Sequence, residues 1–224
     1  MMDKNLTIIV GHYGSGKTEF AVNYAVKSKE DNPKVNLIDL DIINPYFRSR
    51  ERRNELKELG VNVIESSIKN KNLDLPALSP AINGAINEKG SKTIIDAGGD
   101  PIGAKALSRY NNQIKKLDYD MFLVVNANRP ETQTVDQVID YYNKIQGSSR
   151  LIITGIINNT HMLKDTKEED VYKGKKLVEE VSKQINKPIK YHSAMKKIAD
   201  QINSQSKELK IFPLKLYMRE NWMY

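Results

Sequence analysis

Short runs of aliphatic and β-branched residues alternate along this chain with longer stretches whose apolar positions recur at helical spacing. The short runs predict strands at Leu6–Val10, Val35–Leu40, Val61–Ile64, Thr93–Asp96, Met121–Asn126, Leu151–Asn158 and Ile189–Tyr191. Between them, Thr18–Ser28, Ser49–Leu59, Leu75–Asn87, Gly103–Lys116, Glu131–Ile145 and Asp170–Ile185 carry the periodicity of amphipathic helices. Several strands lack in/out alternation. Leu6-Thr7-Ile8-Ile9-Val10, Thr93-Ile94-Ile95 and Phe122-Leu123-Val124-Val125 are apolar on both sides. A strand needs that pattern when it lies in a parallel sheet covered by helices on both faces. The β-α-β rhythm therefore predicts an α/β fold of three layers, a mostly parallel central sheet flanked by helices with right-handed crossovers.

No repeat and no Pro/Gly/Ser-rich linker divides the sequence, so one domain over residues 1–224 is expected. Residues 206–224 form an aromatic-rich tail with Phe212, Tyr217, Trp222 and Tyr224, expected to dock on its own domain in preference to a partner. Pro213 interrupts the apolar stretch Ile211–Met218 and would break or kink a helix there, unlike a membrane-targeting amphipathic helix.

Composition narrows the function classes. Hydrophobic residues make up 39% and charged residues 28% of the 224 positions, the balance of a soluble globular protein. No apolar run approaches the ~18–20 residues that cross a bilayer, and the first one is too short and wrongly flanked for a signal peptide. There is no cysteine, which excludes disulfides, thiolate zinc sites and cysteine-held iron–sulfur clusters and is compatible with a cytoplasmic address. The net charge of +7 permits a nucleic-acid partner, but the lysines are spread along the chain, the pattern of solvated helix faces.

The most specific chemistry lies between the first strand and the first helix. Gly11-His12-Tyr13-Gly14-Ser15-Gly16-Lys17-Thr18 fits G-x-x-x-x-G-K-[ST] in full. Glycines let the backbone turn its N–H groups inward onto phosphate oxygens, and the positive end of the following helix adds to the same spot. Lys17 would reach the β- and γ-phosphates, and the Thr18 hydroxyl would coordinate magnesium. Gly11, Gly14, Ser15, Gly16, Lys17, Thr18 and the adjoining Glu19 form the candidate nucleotide-binding set, with a nucleoside triphosphate and Mg2+ as the expected ligands. Acidic residues stand where such a loop needs them. Asp39 and Asp41 close the second strand, and Asp96 closes the very apolar fourth, followed by Ala97-Gly98-Gly99-Asp100. Asp96 reads as the carboxylate that holds magnesium through water. Gly99 would let its N–H approach the γ-phosphate. Thr18, Asp39, Asp41 and Asp96 are the candidate metal residues; Lys17, Asp41 and Asp100 are the candidate catalytic ones.

Beyond the P-loop, three stretches resemble the MinD/ParA branch of P-loop ATPases. Leu37-Ile38-Asp39-Leu40-Asp41 with Asn44-Pro45 is similar to the family's first switch, whose second Asp is implicated in activating water. Asp96-Ala97-Gly98-Gly99-Asp100 is similar to the second switch, with the D-x-x-G-D spacing of the nitrogenase iron protein. Asn126-Ala127-Asn128-Arg129-Pro130-Glu131-Thr132 is similar to the loop after the central strand. Gly155-Ile156-Ile157-Asn158-Asn159 resembles the strand whose Asn reads adenine, a role carried to Asn158 with Asn159 as competitor. The chain departs from that family at His12, where MinD and ParA proteins carry a second lysine that reaches across a nucleotide-sandwiched dimer.

What the resemblance implies is an ATPase switch, slow until a partner protein accelerates it, with a nucleotide-dependent homodimer as a further expectation. A dethiobiotin-synthetase-type enzyme is the alternative, with Tyr46, Arg48 and Arg50 as candidate substrate residues. A ParA-like nucleic-acid binder is the third reading. ATP is preferred to GTP because the family likeness points that way and no N-K-x-D motif is present.

Overall fold

The computed structural model describes residues 3–41, 49–65, 79–99, 101–205 and 209–218. Its strands are β1 (Leu6–Gly11), β2 (Val35–Leu40), β3 (Val61–Glu65), β4 (Lys92–Ala97), β5 (Tyr119–Val125), β6 (Gly155–Asn158), β7 (Ile189–Met195) and β8 (Ile211–Leu214). They form one sheet in the order β3-β2-β4-β1-β5-β6-β7-β8, and every pairing is parallel. The helices are α1 (Lys17–Ser28), α2 (Arg53–Glu58), α3 (Pro80–Asn87), α4 (Pro101–Ser108), α5 (Asn111–Ile114), α6 (Val135–Ser149), α7 (Glu168–Ile185) and α8 (Lys196–Gln205).

The two-sided apolar strands explain the layering. Ile8 and Val10 point into a core shared with α3 to α7, whereas Ile9 points into a second core with α1 and α2. Ile38 and Leu40 face the first core and Val35 and Leu37 the second; Leu123 and Phe122 divide in the same way. A strand with one polar face would leave one of these helix layers without a partner.

Local sequence sets the element ends. Pro80 occupies the first turn of α3, where its missing N–H costs nothing. Thr134 and Gln137 form a reciprocal capping box at the start of α6. That box explains why the helix expected from Glu131 begins at Val135, after a 3-10 turn at Pro130–Thr132. The helix expected over Ser49–Leu59 likewise opens as a 3-10 turn before α2, and Gly103–Lys116 holds two helices, α4 and α5. Residues 75–78 of another expected helix lie outside the described residues.

Two expectations change. The strand expected over Leu151–Asn158 starts only at Gly155. Leu151 and Ile153 are buried, but their N–H groups go to Ser149 Oγ (3.2 Å) and Gln146 Oε1 (2.8 Å) instead of a ladder. Conversely, the segment read as a proline-broken stretch is an edge strand. Ile211–Leu214 pairs with β7, and an edge tolerates Pro213 because one side of the strand needs no N–H donors. Helix α8, which crosses over to it, buries only Ala199 and Ile202, so its periodic signal in the sequence is thin.

Candidate nucleotide site

The parallel sheet brings three strand ends together. β1 lies between β4 and β5, and β2 flanks β4, so Asp39 sits in register with Asp96 while Asp96 pairs with Ile9 of β1. The loop leaving β1 therefore passes directly beside both acidic strand ends. Gly14 (φ 76°) and Gly16 (φ 79°) hold the left-handed conformations that turn this loop. A Cβ on Gly99 would overlap the Gly11 carbonyl, so glycine there lets the end of the β4 segment lie against the loop backbone.

Lys17 opens α1 and is buried, with Nζ 2.6 Å from Asp41 Oδ2 and 3.5 Å from Thr18 Oγ1. Asp41 N–H donates to Asp39 Oδ1 at 3.2 Å. Burial pulls the Lys17 ammonium down. The nearby Asp96, Asp41 and Asp39 carboxylates outweigh that and hold its pKa above the ordinary lysine value. Burial pushes the Asp96 carboxyl up to about 7; Lys17 opposes the rise, and Asp39 and Asp41 add to it.

Three carboxylates thus face one lysine. Asp96 Oδ1 and Ser15 Oγ are buried with no hydrogen-bond partner. The donor set is all hard oxygen, as a magnesium ion requires. Among the described residues, however, no three carboxylate or histidine side chains converge into a ready-made cation cage. That fits a cation held by Thr18 and an Asp together with phosphate oxygens and waters, the arrangement magnesium favours.

A cleft runs from this loop towards the ends of β6, β7 and β8. Gly14, Gly16, Lys17 and Thr18 line its polar end; Leu163, Ala194, Met195, Leu214, Leu216 and Met218 line the other. Arg129 borders it with Nε donating to the Gly14 carbonyl at 3.0 Å. Asn126 is fully buried and ties the same carbonyl (3.4 Å) to the His161 carbonyl (3.3 Å). His12 turns inward against the Tyr141 ring (centroids 5.4 Å apart), while Tyr13 beside it is 67% exposed.

Of three further candidate residues, Asn158 lies behind the cleft, while Asn159 and Glu19 line it with their polar atoms engaged. Asn158 is fully buried behind the cleft; its Nδ2 donates to the Val171 carbonyl (2.9 Å) and contacts His192 Nδ1 (3.2 Å), and its Oδ1 accepts from the Thr160 hydroxyl (2.8 Å). Its competitor Asn159 lines the cleft, braced between the Ser15 carbonyl (2.8 Å) and the Ser193 hydroxyl (2.9 Å). Glu19 accepts backbone N–H groups from Tyr217 (2.6 Å) and Met218 (3.2 Å). Asp100, Tyr46, Arg48 and the Arg50 side chain lie outside the described residues, as do Trp222 and Tyr224 of the tail. His161 is a cleft residue, and so are the apolar residues of the far wall. No motif flags them; only their convergence in space does.

No known protein-family model matches the sequence, and no curated protein matches it. Solved structures do match in fold. Chloroplast FtsY from Physcomitrella patens is similar at 18% identity and a TM-score of 0.56, over 85% of this chain and 58% of that one. Cell division protein FtsY from Thermotoga maritima is similar at 21% identity and a TM-score of 0.55, over 83% of this chain and 60% of that one. The signal recognition particle 54 kDa protein from Aeropyrum pernix K1, solved in complex with GDP, is similar at 17% identity and a TM-score of 0.54, over 83% of this chain and 40% of that one. The chain thus spans 60% or less of the length of each of these three proteins. The likeness is one of fold, an α/β P-loop NTPase. It is a likeness of fold alone and does not establish the narrower MinD/ParA resemblance. Among the described residues no helix is long and apolar enough to cross a membrane.

Proposed function

We propose that this protein binds a magnesium nucleoside triphosphate, with ATP as the nucleotide, and hydrolyses it slowly as a switch read by a partner protein. The observation that carries the reading is the ion pair between Lys17 of the P-loop and Asp41 at the end of β2. A triphosphate entering the loop competes with Asp41 for one ammonium. Binding therefore frees the carboxylate to orient water. Thr18 and Asp96 are the residues that would hold magnesium, which when bound neutralises phosphate charge. Lys17 would add positive charge where the γ-phosphoryl group is transferred, and the loop backbone would fix its orientation.

Two observations bear on the finer choices. Guanine presents N–H donors that a carboxylate matches, yet Glu19 is the only acidic residue lining the cleft among the described residues, and it is engaged by two backbone N–H groups. This favours ATP, although the fold is shared with a protein solved with GDP. His12 packs on Tyr141 where a dimer-bridging lysine would stand in a ParA-type protein, so a nucleotide-dependent homodimer would have to form without that contact.

The test is ATP hydrolysis and sedimentation of wild type and Lys17→Ala side by side, with and without Mg2+. Slow, Mg2+-dependent turnover lost in the variant supports the reading. Fast turnover that ignores protein concentration and added partner would overturn the switch, and turnover retained in Lys17→Ala would overturn the site.

A further inference from the structure

After β8 the chain does not leave the domain but lies across the first two turns of α1. Asn23 holds it like a rung of backbone pairing: Asn23 Nδ2 donates to the Lys215 carbonyl and Lys215 N–H donates to Asn23 Oδ1, both at 2.8 Å. One helical turn earlier, Glu19 accepts from the N–H groups of Tyr217 and Met218. Glu19 and Asn23 are four residues apart and therefore share one face of α1. Asn23 also donates to the Glu19 carbonyl at 2.8 Å. Tyr217 and Met218 are buried in the core beneath α1, and Phe212 packs on Phe20 with ring centroids 5.3 Å apart. The segment is thus a strap stapled at three backbone positions by two side chains of the P-loop helix.

The strap's other edge faces the cleft. Leu214, Leu216 and Met218 are wall residues, completed by Met195 of β7 and by Leu163. Polarity changes along the cleft from the charged P-loop end to this apolar end, the order in which a nucleotide presents its phosphates and the flat face of its base. We propose that residues 214–218 form the wall on which the nucleobase packs, and that Glu19 and Asn23 are positioning residues that hold this wall against the helix carrying Lys17 and Thr18. The proposal rests on the reading of the P-loop as a nucleotide site. It gives Glu19 a different task from the direct nucleotide contact suggested by its place after Thr18. It also makes α1 the common support of both ends of the ligand, so the spacing between phosphate and base sites is set within two helical turns.

The experiment compares binding of MgATP and of magnesium tripolyphosphate, by calorimetry, to wild type, Asn23→Ala and Leu216→Trp. Asn23→Ala removes both Lys215 bonds, each worth roughly fivefold, and is expected to weaken ATP ~10-fold or more. Leu216→Trp leaves the staples in place and fills the cleft from a half-buried position, so its effect does not depend on whether the strap detaches. Both variants should bind tripolyphosphate as wild type does. ATP affinity unchanged in both variants, or ATP and tripolyphosphate weakened together, overturns the wall. If wild type binds neither ligand, the nucleotide reading itself fails and the wall falls with it.

Discussion

The two ends of the cleft are built in opposite ways. At the phosphate end each task falls to a residue type that cannot be exchanged: glycines with positive φ, a lysine, a hydroxyl, carboxylates at strand ends. At the far end the surface is made by Leu163, Met195, Leu214, Leu216 and Met218, any of which another apolar residue of similar volume could replace. Charge chemistry demands identity and position together, whereas apolar contact demands area and shape. The first leaves a motif in the sequence and the second does not.

The sharpest way to break this contrast is Lys17→Ala, expected to lower MgATP affinity by ~100-fold or more because a charge-assisted phosphate contact is lost outright. If calorimetry shows a loss no larger than that of Leu216→Trp, the two ends contribute alike. Nucleotide competition probes the far end alone. With Glu19 engaged by the strap, ATP should displace a fluorescent nucleotide at concentrations ~10-fold lower than GTP, a difference of about 1.4 kcal/mol. Equal displacement would mean the apolar wall accepts any purine. A stability measurement returns to the phosphate end. Asp96 carries a carboxyl raised to about 7 by burial among other acids, so at pH 8 it is ionised against the preference of its surroundings. Asp96→Asn should therefore raise the melting free energy by roughly 1–2 kcal/mol in Mg2+-free buffer while abolishing hydrolysis. A destabilised Asn variant would instead make that carboxylate structural.

The smallest expected effect is at His192, which lies behind the far end against Asn158. Burial first, then Lys175, lower its pKa, with Glu179 opposing. The unfolded chain takes up a proton that the folded one resists. This group's contribution is therefore present above the ordinary histidine value and is lost as pH falls below it. Between about pH 7 and 5 wild type should lose more thermal stability than His192→Gln, by of order 2 °C. Parallel curves would remove His192 from the account.

The sheet was legible for physical reasons that also mark the limit of legibility. Ile8, Ile9 and Val10 announce burial on both faces, and Asp39 and Asp96 announce strand ends. Leu151–Ile153 looked like strand because they are as apolar as one; what removes them from the ladder is capture of their N–H groups by Ser149 and Gln146, a detail of side-chain reach. Pro213 marks the same limit. It is hostile to a helix, as expected, and tolerated in an edge strand, and only the position of β8 in the sheet distinguishes the two. Asn158 and Asn159 were separable only in three dimensions, since consecutive residues leaving a strand end point opposite ways. One went into the packing of α7 and the other onto the P-loop.

The bond between Asn23 and Lys215 joins positions 192 residues apart. During synthesis the P-loop and α1 emerge long before the strap that lies on them, and closing so long a loop carries the full entropy of the intervening chain. Emerging chains would thus pass through a stage with a phosphate cradle and no wall beside it. On this sequence of events, packing of a nucleobase on the proposed wall would wait until residue 218 has cleared the ribosome, and binding would then report that β8 has joined the sheet.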